Sequence, residues 1–543
     1  MRKQLSTSIY TFSTIIRENC MYVDKTREIY RMVSKPEGQF FLSRPRRFGK
    51  SLTLSTLESV FKGEKELFKG LYIYDQPYDW KPYPIIRLAM NACSSSTEEE
   101  LGRKLCYALD DIAMDHGLRL SRAGAASRFE ELIGKLRRLK GSQVVILIDE
   151  YDKPILDNIL DRDEVLKIRT LLKQFYGLIK AMEEHIRFTF ITGVSKFTQV
   201  SIFSDLNNLD DMTMMPAYAT LCGFTQEECE HYFAEWIDEN AVKLGVSRGD
   251  YLARLRRTYN GLRFSKEPQT VYNPVSFTKA MDQGSFDHYW FETGTPTFLL
   301  KLLRERDYQV TAFDGMRLTA SMFSSYEVED LRVEPLLYQT GYLTIQDYDE
   351  KASMYTLGYP NEEVKQSFVE RLVDFFTPVP KEQTPTLLDN LADALLVHDL
   401  DGVFEVLNTF YARVDNSIKL KHEKYYQTIF YILFTLLGYR IRVEENTNKG
   451  RMDAVVETEG RVYIFEFKLN LSAQEALAQI HQKAYYEKYQ LDPRPLTLLG
   501  VAFNAETGEI ADWLVEEHGG KAEAGSFGDK PSYKQESNGK GWQ

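Results

Sequence analysis

The segment QFFLSRPRRFGKSLTLSTL restricts the fold of this 543-residue chain more than any other part of the sequence. Its apolar run Gln39–Ser43 predicts a buried strand, a short polar loop follows, and its end predicts a helix over Ser51–Phe61. In this order the backbone N–H groups of the loop and the helix N-terminus surround a bound phosphate. We therefore expect a nucleotide-binding α/β domain, a mainly parallel sheet with helices packed on it.

Each residue type in this loop suggests a separate task. Lys50 would reach the β- and γ-phosphates of a nucleotide, and the Ser51 hydroxyl would contact Mg²⁺. Arg44 stands where the general pattern G-x-x-x-x-G-K-[ST] has its first glycine, so the bare pattern is a weak signal and a coincidental Gly-Lys-Ser is the alternative. Pro45 would stiffen the loop, and the arginines would add positive charge beside the phosphates. The predicted nucleotide contacts are Arg44, Pro45, Arg46, Arg47, Phe48, Gly49, Lys50 and Ser51.

A second apolar run, Val144–Ile148, ends in the acidic pair Asp149-Glu150. Open parallel sheets bind their ligands beyond the carboxyl ends of the strands, so this pair would meet the phosphate loop. Asp149 would hold Mg²⁺, directly or through water, and Glu150 would orient or deprotonate the attacking water. A strand that simply ends in charged surface residues is the alternative. The Gly-Lys-Ser loop earlier in the chain favours the functional interpretation.

Two more apolar runs, Pro84–Leu88 and Phe188–Thr192, complete the strands predicted for this sheet. Ser195 and Lys196 follow the second run, and from a neighbouring strand they would contact the γ-phosphate together with Thr192. Serine and lysine are also ordinary turn residues that need no ligand. Ser195 is included among the predicted nucleotide contacts.

Four segments resemble the AAA-ATPase-like family of bacterial proteins: YVDKTREIYRMV, FLSRPRRFGKSLTLSTLESVFKG, LIDEYDKPI and TGVSKFTQVSIFSDLNNLDD. The resemblance covers residues 5–280. The loop RPRRFGKS is similar to that family's own variant of the phosphate loop, so the missing first glycine is in keeping with the family. The resemblance implies a P-loop fold, ATP binding with Mg²⁺, and ATP hydrolysis.

The pattern changes at Thr225, which with Glu228 predicts a capping box before a helix that runs to about Leu244. The sequence from there to Thr377 reads as mainly helical, LLYQTGYLTI suggests a small hairpin, and Arg263 is a candidate arginine sensor for ATP. The predicted division is a P-loop domain over 1–224, a mainly helical middle domain over 225–377, a proline-rich linker over 378–386, a C-terminal α/β domain over 387–518 and a disordered tail over 519–543.

A carboxylate and lysine pattern lies in the segment GRMDAVVETEGRVYIFEFKLN. It predicts a hairpin whose first strand begins at Asp453, and the strand period of two sends Glu466 and Lys468 to one face of the second strand. Two carboxylates beside a lysine suit Mg²⁺-dependent chemistry at a phosphate, in which Lys468 would position water or stabilise developing negative charge. An ordinary Glu-Lys ion pair on a solvated sheet face is the alternative.

The elements around this hairpin strengthen the first interpretation. The preceding helix carries Glu423, and the following helix carries Gln479 and Lys483 on one face. This order resembles the PD-(D/E)XK nuclease superfamily, whose fold is that of restriction endonucleases, over about Lys421–Phe503. The resemblance implies that Glu423, Asp453 and Glu466 bind the metal, that Asp453, Glu466 and Lys468 are catalytic, and that Gln479 and Lys483 complete the site.

Charge and composition limit the partners. The formal net charge of −12 provides no global attraction to a polyanion, so nucleic acid, with DNA expected, must bind through local basic groups. The longest apolar runs are too short to cross a bilayer, and neither a signal peptide nor a cysteine framework is evident, which indicates a cytoplasmic protein. Self-association into a homo-oligomer stays open. A nucleotide-switched binding or signalling protein whose nuclease-like domain does not cut is the alternative function.

Overall fold

The computed structural model describes residues 2–36, 38–196, 208–290, 299–300, 302–303, 313–324, 332–376, 382–412, 423–446, 451–504 and 507–518. The chain forms two compact units. One contains Met1–Leu302 and Phe313–Lys365, and the other contains Leu303–Ala312 and Gln366–Gln543. Within the described ranges, no helix combines the length and the apolar character that a bilayer crossing requires.

The first unit is built on a five-stranded parallel sheet in the order β2-β3-β4-β1-β5. Its strands are β1 Gly38–Ser43, β2 Ile85–Ala89, β3 Val144–Asp149, β4 Ile186–Gly193 and the two-residue β5 Asp210–Asp211. The four predicted strands are confirmed, with ends shifted by one or two residues, whereas β5 was not predicted because two aspartates carry no strand signal. Since the strands are parallel, β1, β3 and β4 all end at the same edge of the sheet.

Helices cover both faces of this sheet. Their bounds are Phe12–Arg17, Thr26–Val33, Lys50–Phe61, Met90–Cys93, Glu98–Asp115, Ala125–Lys140, Lys153–Asn158 and Arg162–Ala181, with 3-10 turns at Lys65–Phe68, Tyr72–Asp75, Glu183–His185 and Pro216–Tyr218. The core of one face contains Phe40 of β1, Leu147 of β3, Phe188 of β4 and Leu54 of the helix that follows the phosphate loop. Burial of these side chains fixes the direction in which that loop leaves β1.

The rest of the first unit is helical with one small sheet. The helices are Gln226–Tyr232, Ala234–Lys243, Arg248–Tyr259, Pro274–Gln283, Ala320–Ser324 and Val333–Thr340, and the antiparallel sheet contains β6 Met316–Thr319, β7 Thr344–Asp349 and β8 Met354–Gly358 in the order β6-β8-β7. The capping box of Thr225 and Glu228 is confirmed. The single helix predicted to reach Leu244 was wrong, because the chain breaks at Phe233, whose ring is buried against Phe224 and Phe277.

The hairpin predicted at LLYQTGYLTI lies further along the chain. Leu336–Thr340 instead end a helix, and Gly341, at φ 87°, caps that helix in the left-handed region where only glycine is unstrained. The strand β7 begins at Thr344 and pairs with β8. An apolar run with a central glycine is compatible with either arrangement, and the helix cap decides it here.

The second unit contains a five-stranded mixed sheet in the order β13-β12-β11-β10-β9. Its strands are β9 Arg440–Asn446, β10 Arg451–Glu457, β11 Val462–Leu469, β12 Leu496–Phe503 and β13 Ile510–His518, and only β11 and β12 pair in parallel. The helices are Thr384–Leu396, Leu400–Ala412, Glu423–Leu436 and Ala473–Lys483, with a 3-10 turn at Tyr485–Tyr489. The helix Glu362–Phe376 contains the chain position that divides the units.

The predicted domain boundaries stay predictions. The helix Thr384–Leu396 begins within the predicted linker over 378–386, where prolines at the helix start are compatible with helical backbone. The strand β13 was not foreseen, because its sequence IADWLVEEH mixes apolar and acidic residues. The tail predicted from residue 519 lies outside the described residues.

A buried carboxylate, that of Glu363, lies near the start of the helix Glu362–Phe376. Its side chain is 1% exposed, and its Oε1 accepts the N–H of Trp290 at 2.9 Å. Burial raises the pKa of Glu363 from 4.5 to about 7, against the hydrogen bond from Trp290 and the charge of Arg47, which lower it. The folded protein therefore keeps a proton that the unfolded chain has already lost between these two pH values.

This shift predicts a pH dependence of stability. Because the folded state binds more protons in that window, the free energy of unfolding should fall as pH rises from about 4.5 to about 7, by on the order of 3 kcal/mol from Glu363 alone. Denaturant titrations across this range should show a shallower fall for Glu363→Gln than for the wild type. Glu362→Gln, which changes an exposed neighbour, is the matched control and should keep the wild-type slope. Equal slopes for all three proteins would contradict the assignment.

Candidate active sites

The phosphate loop is formed by residues 44–49, between the end of β1 and the helix Lys50–Phe61. Two of its residues adopt left-handed backbone conformations, Arg47 at φ 62° and Gly49 at φ 88°. Gly49 is the N-cap, and no side chain caps this helix. The first N–H groups of the helix therefore remain available to an anion, and the helix dipole favours a negative charge there.

Lys50, the first residue of this helix, is only 6% exposed. Its Nζ donates hydrogen bonds to the carbonyl oxygens of Arg44 at 3.0 Å and Pro45 at 2.8 Å. Burial lowers the pKa of Lys50, while the nearby carboxylates of Asp149 and Glu150 raise it. A phosphate oxygen would offer this ammonium a charged acceptor, which binds it more strongly than a neutral carbonyl does.

The loop lines a cavity of about 570 Å³. Charged and polar groups on its wall include Arg46, Lys50, Ser51 and Glu150. Apolar groups on the same wall include Ile9, Tyr10, Met21, Val23, Phe224 and Val275. A cavity with both kinds of surface suits a ligand that combines phosphates with an uncharged ring system.

Asp149 ends β3 and is 7% exposed. Its Oδ1 is buried and has no hydrogen-bond partner among the described residues. A buried carboxylate oxygen is costly unless a donor or a cation satisfies it, so Asp149 fits a Mg²⁺ ligand, with the Ser51 hydroxyl of the cavity wall as its counterpart.

Glu150 follows in a left-handed conformation at φ 54° and lines the cavity. This conformation is strained for a residue with a β-carbon and must be held by its surroundings. Burial raises the pKa of the Glu150 carboxyl, and the charge of Lys50 opposes the rise. A carboxylate with a raised pKa is a stronger base toward water at neutral pH.

Arg44 does not place its charge beside the phosphate site, contrary to the expectation from sequence. Its guanidinium is buried, donates to the carbonyl oxygens of Ser43, Thr213 and Tyr218 at 2.8 to 3.1 Å, and lies over the ring of Phe264 at 4.2 Å. A buried guanidinium needs several acceptors, and these carbonyls provide them. Arg44 contributes its own carbonyl to Lys50, whereas its side chain anchors the loop.

The other loop residues divide between the cavity and the core. Arg46 is exposed and lines the cavity. Arg47 also lines it and donates to the carbonyl oxygen of Tyr289 at 2.9 Å. Phe48 is buried against Phe264, with ring centroids 5.3 Å apart. The positive charge that the loop brings to the cavity therefore comes from Arg46, Arg47 and Lys50.

Ser195, which was predicted to contact the γ-phosphate, is not among the residues that line the cavity. Ser195 is fully buried, and its hydroxyl donates to Asp152 Oδ2 at 2.6 Å. Lys196 is also buried and forms an ion pair with Asp211. Asp152 was missed in the sequence, although its place two residues after Glu150 in LIDEYD was a signal that a third acid lies at this sheet edge.

Arg263 also differs from expectation. Its guanidinium donates to the backbone carbonyls of Ser265, Lys266, Glu267 and Gln346. These contacts brace a loop of the middle region, because each carbonyl supplies an acceptor that a buried guanidinium requires. Arg263 is not among the residues that line the nucleotide cavity.

In the second unit, the hairpin β10–β11 brings Asp453 and Glu466 together. The antiparallel register pairs Ala454 with Phe465, and one step further it places Asp453 opposite Glu466. Residues opposite each other in an antiparallel pair share a face. Asp453 Oδ2 accepts a hydrogen bond from the N–H of Phe467 at 2.8 Å. The Asp453 carboxylate thus bonds to the neighbouring strand beyond the last backbone pair, Ala454 with Phe465.

Glu466 is fully buried, and its Oε1 accepts hydrogen bonds from Lys468 Nζ at 3.0 Å and from Gln479 Nε2. The predicted alternation is confirmed, because Phe465 and Phe467 point to the opposite face and contact the ring of Phe430. The predicted convergence of Asp453, Glu466, Lys468 and Gln479 is therefore present. Two carboxylates can hold Mg²⁺ when water and phosphate oxygens complete the coordination.

Two members of the predicted set, Glu423 and Lys483, stay predictions. Glu423 is the first residue of the helix Glu423–Leu436, and its side chain lies outside the described residues. Lys483 ends its helix, and no contact with Glu466 or Lys468 is recorded for it in the described part of the chain. Across the described ranges, no cluster of three or more His, Cys, Asp or Glu residues is arranged to hold a metal ion.

Tyr485 belongs to this site and was not predicted. It is buried beside Gln479, and burial raises the pKa of its hydroxyl, with the charges of Glu466 and Asp453 adding to the rise and the hydrogen bond with Gln479 opposing it. Tyrosines are frequent in this part of the sequence, so residue type alone could not separate Tyr485 from packing residues.

Gly500 of β12 allows the helix that carries Gln479 to approach the sheet. It pairs with Glu466 in the parallel register, and an added β-carbon would lie 2.3 Å from the carbonyl oxygen of Ala473 and 2.6 Å from the N–H nitrogen of Leu477. Both neighbours are helix backbone, which cannot rotate away as a side chain can. The absence of a side chain at this position therefore brings Gln479 within reach of Glu466.

Comparison with known proteins matches two parts of the chain to family models. A family model described as "Predicted AAA-ATPase" matches residues 6–203, and the PD-(D/E)XK nuclease superfamily model matches residues 421–513. The chain belongs to the AAA-ATPase-like proteins that carry a C-terminal PD-(D/E)XK nuclease superfamily domain. An uncharacterized protein in the vnfD 5′ region of Azotobacter chroococcum mcd 1 is 37% identical over 529 residues, which cover 95% of this chain and 100% of the relative. The resemblance noted in the sequence is confirmed for both domains.

The close approach at Gly500 yields a stability prediction. Gly500→Ala should lower the free energy of unfolding by on the order of 2 kcal/mol, because the helix Ala473–Lys483 must move away from β12. Gly460→Ala is the matched control: it adds the same methyl group in the β10–β11 turn, where a β-carbon meets nothing within 4 Å. Urea unfolding of the full chain measures both. Equal stabilities for the two variants would contradict the packing argument.

Proposed function

We propose that the N-terminal domain binds ATP with Mg²⁺ and hydrolyses it. The observation that carries this proposal is the shared cavity that contains the phosphate loop, Lys50 and Glu150, next to the unsatisfied buried oxygen of Asp149. Lys50 and the N–H groups at the helix start bind the β- and γ-phosphates, and Arg46 adds positive charge. Ser51 and Asp149 would hold the metal, which neutralises phosphate charge when bound.

Glu150 acts as the general base in this proposal. Its carboxylate accepts a proton from water, and the water oxygen attacks the γ-phosphorus while the bond to the bridging oxygen breaks. The products are ADP and inorganic phosphate. The raised pKa of Glu150 supports the role, since a stronger base takes the proton more readily.

We propose further that the C-terminal domain cleaves phosphodiester bonds of nucleic acid, with DNA as the expected substrate. Asp453 and Glu466 would hold Mg²⁺, which supplies an activated water and charge neutralisation when bound. Lys468 contacts the phosphate and stabilises the negative charge that develops on it as water attacks phosphorus. Gln479 fixes the orientation of Glu466 by its hydrogen bond. In this proposal the nucleotide state of the first domain regulates cleavage by the second.

One observation favours a second candidate, a nucleotide-switched protein that binds a partner or nucleic acid without cutting it. Glu466 Oε1 already accepts hydrogen bonds from both Lys468 and Gln479, so this oxygen has partners without a metal. Metal binding discriminates the candidates. In titration calorimetry with Mg²⁺ or Mn²⁺, Asp453→Asn should remove the heat of one binding site if the domain is a nuclease, whereas a non-cleaving module need not bind either ion.

The ATPase assignment predicts that binding and hydrolysis separate in two variants. Lys50→Ala should weaken ATP binding by about 100-fold, because two to three kcal/mol of charge-assisted contacts are lost. Glu150→Gln should bind ATP within about 3-fold of the wild type and hydrolyse it about 100-fold more slowly. Calorimetry and phosphate release measure the two quantities. Lys62→Ala, at the other end of the same helix, is the control and should behave as the wild type. Unchanged affinity in Lys50→Ala would mean that the loop does not bind the nucleotide.

The nuclease assignment predicts Mg²⁺-dependent cleavage that EDTA stops. Asp453→Asn and Lys468→Ala should each reduce cleavage by at least about 100-fold, through loss of metal binding and of charge stabilisation respectively. Single- and double-stranded DNA and RNA should be tested with and without ATP, which also measures regulation. Lys488→Ala changes an exposed lysine in the 3-10 turn Tyr485–Tyr489. This variant is the control and should cleave normally. Retained cleavage in both site variants would refute the assignment.

A further inference from the structure

Asp152 lies in the turn that follows β3, two residues after Glu150, and it is almost fully buried. Its position is the N-cap of the helix Lys153–Asn158, yet its carboxylate does not cap that helix. Oδ2 instead accepts the N–H groups of Val194 at 3.1 Å and Ser195 at 2.7 Å and the Ser195 hydroxyl at 2.6 Å. One carboxylate oxygen thus holds the loop that follows β4.

The two turns are also in direct contact. A β-carbon at Gly193 would lie 2.5 Å from the ring of Tyr151 and 2.6 Å from Asp152 Oδ1, so the turns can approach this closely only with glycine at that position. The N–H of Tyr151 donates to the carbonyl oxygen of Thr192 at 3.0 Å, and the Tyr151 hydroxyl donates to the carbonyl oxygen of Ser195 at 2.9 Å. The two residues that follow Glu150, Tyr151 and Asp152, are therefore both held by the loop after β4.

This arrangement bears on the strained backbone of Glu150. A left-handed conformation of a non-glycine residue costs on the order of 1 kcal/mol and persists only where neighbours impose it. On the amino-terminal side, Asp149 belongs to the sheet. On the carboxyl-terminal side, the Asp152 hydrogen bonds and those of Tyr151 supply the restraint. Without them the turn would relax and Glu150 would leave the cavity wall.

We propose that Asp152 is the positioning residue of the ATPase site: its carboxylate binds the loop after β4 and thereby holds the Glu150 carboxylate toward the water that attacks ATP. The inference rests on the proposed ATP hydrolysis and adds to it a residue that touches neither nucleotide nor metal. A shift of about 1 Å in the base lowers a rate by up to about 100-fold without weakening the binding of the substrate.

The decisive variant is Asp152→Asn. It keeps the size of the side chain and one acceptor oxygen, but a neutral amide oxygen binds the three converging donors more weakly than a carboxylate oxygen does, and the amide nitrogen accepts from none of them. We expect ATP affinity within about 3-fold of the wild type and a kcat lower by about 10- to 100-fold. Asp152→Ala leaves buried donors without an acceptor, so thermal unfolding must first establish that it folds. Asp163→Asn, an exposed acid of the same unit, is the matched control.

A double-mutant cycle with Ser195→Ala separates positioning from general destabilisation. If Asp152 acts through the loop after β4, the two substitutions remove the same connection, and their effects on kcat per bound ATP will be markedly less than additive. Additive effects, or a loss of kcat that matches the loss of binding-competent protein, would overturn the inference. If the wild type hydrolyses ATP and Asp152→Asn has the same kcat, the inference is overturned and the proposed ATPase function stands. Wild-type protein that binds ATP and does not hydrolyse it would overturn the proposed ATPase function together with the inference.

Discussion

Charged side chains are buried at both candidate sites, and the structure depends on the partner that each of them finds. Lys50 and Arg44 are held by backbone carbonyl oxygens, Asp152 by backbone N–H groups and a hydroxyl, and Glu466 by a lysine and an amide. An isolated buried charge would cost several kcal/mol, so each partner restricts where the surrounding loops can go. One buried oxygen of Asp149 has no hydrogen-bond partner among the described residues, and it lies where the proposed metal would bind.

Different sheet geometries bring the residues of the two sites together. In the first unit, parallel strands end at one edge, so the loops after β1, β3 and β4 meet although they are far apart in sequence. In the second unit, an antiparallel hairpin places Asp453 opposite Glu466 across two neighbouring strands. The first arrangement builds a cavity from loops, and the second builds a polar face on a rigid sheet.

Most strands of both sheets and the direction of several site residues could be predicted from sequence, because apolar runs and side-chain alternation are local signals. Apolar runs such as Val144–Ile148 identify strands directly, and the alternation of Glu466 and Lys468 with two phenylalanines fixes which face each side chain occupies. The directions of Arg44 and Ser195 could not be predicted in the same way. Their partners, Thr213 and Asp152, are distant in sequence and become neighbours only when the sheet forms. Gly500 likewise acts through a helix backbone that the sequence does not place.

The anchoring of Arg44 has a consequence for how the phosphate loop can change shape. Its side chain fixes the end of β1 to the chain segment at Thr213 and Tyr218, while its carbonyl faces Lys50. If Lys50 exchanges that carbonyl for a phosphate oxygen, the strand side of the loop keeps its place. Rearrangement is then confined to the few peptide units between Pro45 and Gly49, where the Phe48 ring against Phe264 and the Arg47 guanidinium at the Tyr289 carbonyl limit it further.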